Sequence, residues 1–233
     1  MPEKVVGVLG GMGPEATIDF FTKVVALTPG EKDQDHLRLI IDNNPKIPDR
    51  TEAILTQDKS IVPALIKTAK NLEKAGVDFI AMPCNTAHYF YDEVAKEISI
   101  PILHMIREVA QAVQASLPEC KKAGLLATSG TITTNLYQTE LQKIGVEVIA
   151  PDPEYQAKVM DAILLIKSGQ EKERAREELL KIGSLLIEQG NAQAIILGCT
   201  DIPVVIRTDD FTVPVFDSNW VLAEATVKLA RGV

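Results

Sequence analysis

The sequence predicts an α/β protein of two pseudo-symmetric halves, each a three-layer α/β/α arrangement around a parallel sheet, with the functional site in the cleft between them. Three observations carry this. Short apolar runs alternate with longer stretches of helical periodicity. The runs are apolar throughout instead of alternating with polar residues, the mark of strands covered on both faces. And the second part of the chain repeats features of the first at matching places.

Taken in order, residues 5–9 (VVGVL) read as a buried strand. Residues 14–27 read as a helix, with Pro14 well placed in the first turn, where its missing N–H costs nothing. Residues 37–41 (LRLII) form the next strand, and 43–51 (NNPKIPDRT) a loop, because Pro45 and Pro48 disfavour a regular element. A helix over 61–75 ends at Gly76, a residue suited to a left-handed cap. Strands follow at 77–82 and 100–103, then a helix near 106–116. The second series runs through a strand at 123–127 and a helix at 133–144 ending at Gly145. A strand at 146–149 and helices at 155–167 and 171–189 come next. The series closes with a strand at 194–197 and a helix at 220–230.

The repeat is visible in two places. Residues 6–13 (VGVLGGMG) match 123–130 (AGLLATSG), each a strand running into a turn of small residues. Residues 72–84 (LEKAGVDFIAMPC) match 186–199 (LIEQGNAQAIILGC), each a helix end, a glycine, a strand and then a cysteine. The second copy is one residue longer between glycine and cysteine. The expected domains are therefore 1–103 together with 211–233, carrying Cys84, and 104–210, carrying Cys199. The segment after about Phe211 is assigned to the first half because the second already has its last expected strand by Leu197.

A net charge of -8 and the lack of any Lys/Arg-rich run argue against nucleic-acid binding. No apolar stretch approaches the roughly 20 residues of a membrane span, and residues 1–4 lead into a run too short for a signal-peptide core. A cytoplasmic protein without a membrane partner is expected. Three cysteines make no disulfide framework and would stay free in a reducing compartment. His36, His88 and His104 form no ligand-spaced set with the cysteines, so no metal is expected.

Cys84 and Cys199 stand out because the repeat relates them. Each lies just past the C-terminal end of a predicted parallel strand, where open α/β sheets bind ligands, and each precedes small polar residues able to start a helix. Exposed N–H groups there favour a thiolate. Two thiols facing one carbon from opposite sides suit stereoinversion: one removes a proton and the other returns one to the opposite face. Buried, inert cysteines are the alternative for any lone thiol. Cys120, outside the repeat, reads that way.

The motifs GVLGGMGPE at 7–15, IPDRT at 47–51, MPCNTAH at 82–88, LATSGT at 126–131 and LGCTDIP at 197–203 are highly specific in this order and spacing. Through them the chain resembles, over essentially its whole length, the aspartate racemases of the Asp/Glu/hydantoin racemase superfamily. The resemblance implies a cofactor-independent amino-acid racemase that interconverts L- and D-aspartate, with glutamate as a second candidate substrate and a broad-specificity amino-acid racemase as the alternative. It implies Cys84 and Cys199 as the acid/base pair, with the active site between the halves and a homodimeric assembly. It implies that Arg50 and Lys167 contact substrate carboxylates, and that the Met12 backbone, Asn85, Thr86, Thr131 and Thr200 line the amino-acid pocket. One departure is Asp201, where aspartate racemases usually carry Glu and glutamate racemases His; the acid is kept on a shorter arm.

Other readings remain. Gly11, Gly13 and Ala16 match a dinucleotide pattern, but Pro14 lacks an N–H for phosphate and Asp42 lies too far on for the ribose contact. His88 sits one helical turn past Cys84, either acting on that thiol or simply buried. Arg50 could be a solvated loop residue and Lys167 a partner for the helix dipole. A hydantoin racemase, or an amino-acid-binding protein without catalysis, would use the same fold. A thiol redox role lacks the Cys-x-x-Cys it would need.

Overall fold

The computed structural model describes residues 3–232; Met1 and Pro2, with which the reading of the N-terminus began, and Val233 lie outside the described residues. The chain divides into two compact units, Met1–Glu108 with Asn219–Val233, and Val109–Ser218.

The first unit contains β1 (Val6–Gly10), α1 (Pro14–Leu27), β2 (Leu39–Asn43), α2 (Arg50–Thr56), α3 (Ile61–Lys74), β3 (Phe79–Ala81), α4 (Tyr91–Ala95) and the start of α5 (Met105–Ser116). Its sheet is parallel in the order β2-β1-β3, with Val6 level with both Leu39 and Phe79. A parallel bridge from Ile102 to Ile80 marks the place of a fourth strand. Side chains of β1 and β3 alternate between two cores, as the strand period of two requires. Leu9 and Ile80 pack with Ile61, Leu65 and Leu72 of α3. Val6, Val8, Phe79 and Ala81 pack with Phe20 and Val24 of α1 and with Leu222 and Val227 further on in the chain. Because both faces are covered, β1 is buried at every residue.

The second unit contains β4 (Lys122–Ala127), α6 (Ser129–Thr133), α7 (Leu136–Gln142), β5 (Glu147–Ile149), α8 (Pro153–Ser168), α9 (Lys172–Glu188), β6 (Ala194–Gly198) and β7 (Val215–Asp217). Its parallel sheet has the order β5-β4-β6-β7. Leu126, Ile195 and Leu197 pack with Val159, Ile163 and Ile166 of α8 and with Leu179, Ile182 and Leu186 of α9. Helix α8 has strong ends: the Asp152 side chain accepts from Tyr155 N–H, Pro153 opens the helix, and Gly169 closes it at φ 70°. The last helix, α10 (Ser218–Arg231), returns the chain to the first unit.

The two sheets thus share one strand order, the repeat read in three dimensions. Three local expectations need correction. The helix expected over 133–144 is shorter, α7 running only from Leu136 to Gln142, and Asn135, whose φ of 54° is left-handed, separates it from α6. The loop expected over 43–51 ends two residues early, because the Asp49 side chain caps α2 by accepting from Glu52 N–H at 2.9 Å. The stretch assigned to the first half from Phe211 onward stays with the second as far as Ser218, because Val215–Asp217 pairs alongside β6. Pro214 and the brevity of that strand hide it from periodicity.

Candidate active site

In the first unit the site is built at the C-terminal ends of β1 and β3. Cys84 lies three residues past β3 and is buried in one cluster with Leu9, Met12, Ile47 and Ala87. Its N–H donates to Met82 O at 2.8 Å, a tight turn that ends the strand. The following Asn85, Thr86 and His88 are all buried. Met12 sits in the turn after β1, which depends on Gly11: φ is +93° there, and a Cβ would fall 2.4 Å from the Asn44 backbone. Arg50, at the start of α2, reaches across to this turn. Its Nη1 donates to Pro48 O at 3.1 Å and its Nη2 to Met12 O at 3.2 Å. The Arg50 Nε is buried with no hydrogen-bond partner. A planar guanidinium held by two carbonyls and carrying an unsatisfied donor is suited to an incoming carboxylate.

His88, four residues past Cys84, is buried against backbone groups on both sides. Its Nδ1 lies 2.8 Å from Cys84 O and its Nε2 3.0 Å from Met105 N. Burial, reinforced by the neighbouring His104, pushes its pKa down to about 3, so the ring is neutral.

In the second unit Cys199 follows β6 directly and is buried. Its Sγ lies 3.6 Å from Asp201 Oδ2. The same oxygen lies 3.7 Å from Lys167 Nζ, in the last turn of α8. Asp201 is almost wholly buried, and Lys167 is partly exposed. At the end of β4, Thr128 caps α6 by accepting from Thr131 N–H at 3.2 Å, and the two hydroxyls lie 3.1 Å apart. Thr131 and Thr200 are buried. Behind Cys199, the Tyr137 hydroxyl bonds to Ser218, and Ser218 Oγ donates to Leu197 O at 2.7 Å. Burial drives the Tyr137 pKa upward, so it acts only as a neutral hydroxyl.

Within the first unit, then, Met12, Arg50, Cys84, Asn85 and Thr86 gather at one end of the sheet. Within the second, Thr131, Lys167, Cys199 and Thr200 belong to the elements that leave the corresponding end of its sheet or face Asp201. Cys120 precedes β4 and so lies at the opposite edge; its thiol bonds to Lys122 O at 3.5 Å, and burial raises its pKa. Three contributors escaped sequence reading. Tyr137 and Gln156 carry no local signal; the Gln156 amide donates to Ala127 O at 3.0 Å, at the end of β4. The Lys167–Asp201 pair spans 34 residues, and only the acid after Cys199 hinted at it. Among the described residues, no group of three or more His, Cys, Asp and Glu could hold a metal ion, and no helix is long and apolar enough to cross a membrane.

Comparisons with known proteins identify the family. The sequence pattern of the Asp/Glu/hydantoin racemase family matches residues 9–226. A broad-specificity amino-acid racemase of Bacillus subtilis is 34% identical over 229 residues, 96% of each chain. The solved structure of an aspartate racemase from Picrophilus torridus superimposes with a TM-score of 0.87 at 36% identity, covering 98% of this chain and 94% of that one. An aspartate racemase homologue from Pyrococcus horikoshii gives 0.80 at 27% identity, covering 98% and 99%. The chain belongs to the Asp/Glu/hydantoin racemase family and is an amino-acid racemase, an isomerase.

Proposed function

We propose that the protein interconverts L- and D-aspartate without a cofactor, with Cys84 and Cys199 as the two proton carriers. The observation that carries this reading is the matched placement of the thiols. In two sheets of the same strand order, each cysteine follows the strand on the same side of the central one, β3 beside β1 and β6 beside β4. In each direction a thiolate removes the α-proton from one face, and the other thiol donates a proton to the opposite face. An unperturbed thiol titrates at about 8.5, so a thiol and a thiolate can coexist near neutral pH with little tuning.

The intermediate carbanion places charge on the substrate carboxylate, which fixed donors must stabilise in a site with little water. Arg50, with its buried free Nε–H, suits one carboxylate. Lys167 suits the other, its ammonium partly exposed beside Asp201. The Met12 backbone, Asn85, Thr86, Thr131 and Thr200 complete the amino-acid pocket. Two cations favour a dicarboxylate over a neutral substrate. The similarity to the Picrophilus torridus aspartate racemase supports aspartate. The Bacillus subtilis relative, named for broad specificity, supports a second reading in which several amino acids are accepted. Three free cysteines fit work in the cytoplasm, and the family resemblance supports a homodimer.

The test is incubation of the purified protein with L-aspartate, L-glutamate and a panel of neutral L-amino acids, without added cofactor, followed by chiral chromatography. D-Aspartate formed faster than any other D-amino acid supports the proposal. Equal rates across the panel favour the broad reading, and no D-amino acid at all excludes both.

A further inference from the structure

Two backbone groups, one in the turn that carries Cys84 and one at the start of α5, have no partner within a helix or strand ladder. The segment Thr86–Phe90 is wound as a 3-10 helix, so His88 N–H donates to Asn85 O at 3.0 Å instead of reaching back to Cys84. The Cys84 carbonyl is thereby left without a ladder partner. Met105 opens α5, and its N–H is one of the first four of a helix, which no carbonyl within that helix can take. Both groups are met by one imidazole. His88 Nδ1 lies 2.8 Å from Cys84 O, and His88 Nε2 lies 3.0 Å from Met105 N.

The chemistry of these two contacts favours one tautomer. The Leu103 carbonyl also hydrogen-bonds to the ring; Met105 N–H can only donate and Cys84 O can only accept, so the two short contacts favour the proton on Nδ1 and the lone pair on Nε2. A doubly protonated ring would set an N–H against the Met105 N–H. The ring is 3% exposed. Its pKa, about 3, fits the neutral form that the contacts demand. With both nitrogens engaged by backbone, His88 has no free site from which to pass a proton to substrate.

The second unit meets the same need differently. There the Cys199 carbonyl accepts from Ile202 N–H at 3.1 Å, backbone to backbone. The imidazole is particular to the Cys84 half.

We propose that His88 is a positioning residue for Cys84: as a neutral Nδ1–H imidazole it fixes the Cys84 peptide against the first turn of α5 and so sets the line along which the Cys84 thiol meets the α-carbon. The inference rests on the reading of Cys84 as a proton carrier. Losing the clamp lets the thiol drift without removing it, and a shift of about 1 Å at a reacting group can lower a rate about 100-fold.

The experiment compares His88→Leu, which lacks both contacts, with His88→Asn, whose amide can still donate from near the Nδ1 position. Expected for His88→Leu is a 10- to 100-fold fall in kcat, on the order that such misplacement produces, with KM for aspartate near the wild-type value. His88→Asn should recover a large part of kcat. Peptide-resolved iodoacetamide labelling should show a changed rate–pH profile at Cys84 and an unchanged one at Cys199. In the wild-type protein, nitrogen NMR of labelled histidine should show one ring held as neutral Nδ1–H down to pH 5. That spectrum decides the tautomer whether or not the variants fold. Wild-type kcat in folded His88→Leu, equal labelling changes at both thiols, or a buried ring in the Nε2–H form would overturn the proposal. Cys84→Ala separates the two layers: if it still racemises, the role of Cys84 itself falls. If it is inactive while both His88 variants behave as wild type, only the positioning role falls.

Discussion

Lys167 Nζ lies 3.7 Å from Asp201 Oδ2, the same oxygen that lies 3.6 Å from the Cys199 thiol. One carboxylate thus links a cation in the last turn of α8 to the thiol that follows β6. Replacing Lys167 by Ala should raise KM for aspartate about 10-fold or more, the scale of a charge-assisted contact, and should raise KM for a neutral amino acid much less. Steady-state kinetics on both substrates checks this. Equal increases would mean that Lys167 serves only to balance Asp201.

Arg50 holds two backbone carbonyls with one planar group. Lysine cannot reproduce that fork. Arg50→Lys should therefore lower kcat/KM for aspartate by roughly 10- to 100-fold, in line with the loss of a bidentate charged contact. Wild-type kinetics in the variant would remove Arg50 from the substrate site.

Gly11 is a backbone requirement at the site. At φ +93°, with a Cβ position 2.4 Å from the Asn44 backbone, alanine must distort the turn that carries Met12. The left-handed strain alone costs about 1–2 kcal/mol, and displacement of Asn44 adds to it. Urea denaturation of Gly11→Ala should show that loss, together with lower activity. An unshifted midpoint would contradict the close packing of residues 11 and 44.

His88 makes stability depend on pH. Its pKa in the folded chain is about 3, below the 6.5 of the free side chain. Between those values the unfolded chain binds a proton that the folded chain refuses, so the unfolded state gains as pH falls. The contribution is complete above pH 6.5 and drains as pH drops toward 3, by up to about 1.4 kcal/mol per pH unit. Denaturation at pH 7 and pH 5 should show a larger loss for the wild type than for His88→Leu. Equal losses would place the titration elsewhere.

Much of this molecule is legible in the sequence, and the illegible parts share a physical cause. Strands such as Val6–Gly10 and Ala194–Gly198 are buried on both faces, so their composition marks them. The two cysteines could be matched because the repeat preserves what precedes them. Val215–Asp217 was hidden because three residues after a proline show no period, and its place depends on pairing with β6. The break between α6 and α7 rests on the backbone angle of Asn135, which composition does not reveal. At the site, motif residues such as Arg50 and Cys199 could be named from the sequence. The partners that hold them could not: His88 to Met105, Lys167 to Asp201 and Tyr137 to Ser218 are contacts across the fold.

The central claim is that two thiols carry the α-proton, and the most direct measurement is proton NMR with L-aspartate in deuterated water, followed by chiral analysis. It should be made on the wild type, Cys84→Ala, Cys199→Ala and Cys120→Ala. The account predicts loss of the α-proton signal with appearance of D-aspartate for the wild type and Cys120→Ala, and no D-aspartate from either of the other two. Racemisation at the wild-type rate in Cys84→Ala or in Cys199→Ala would contradict it.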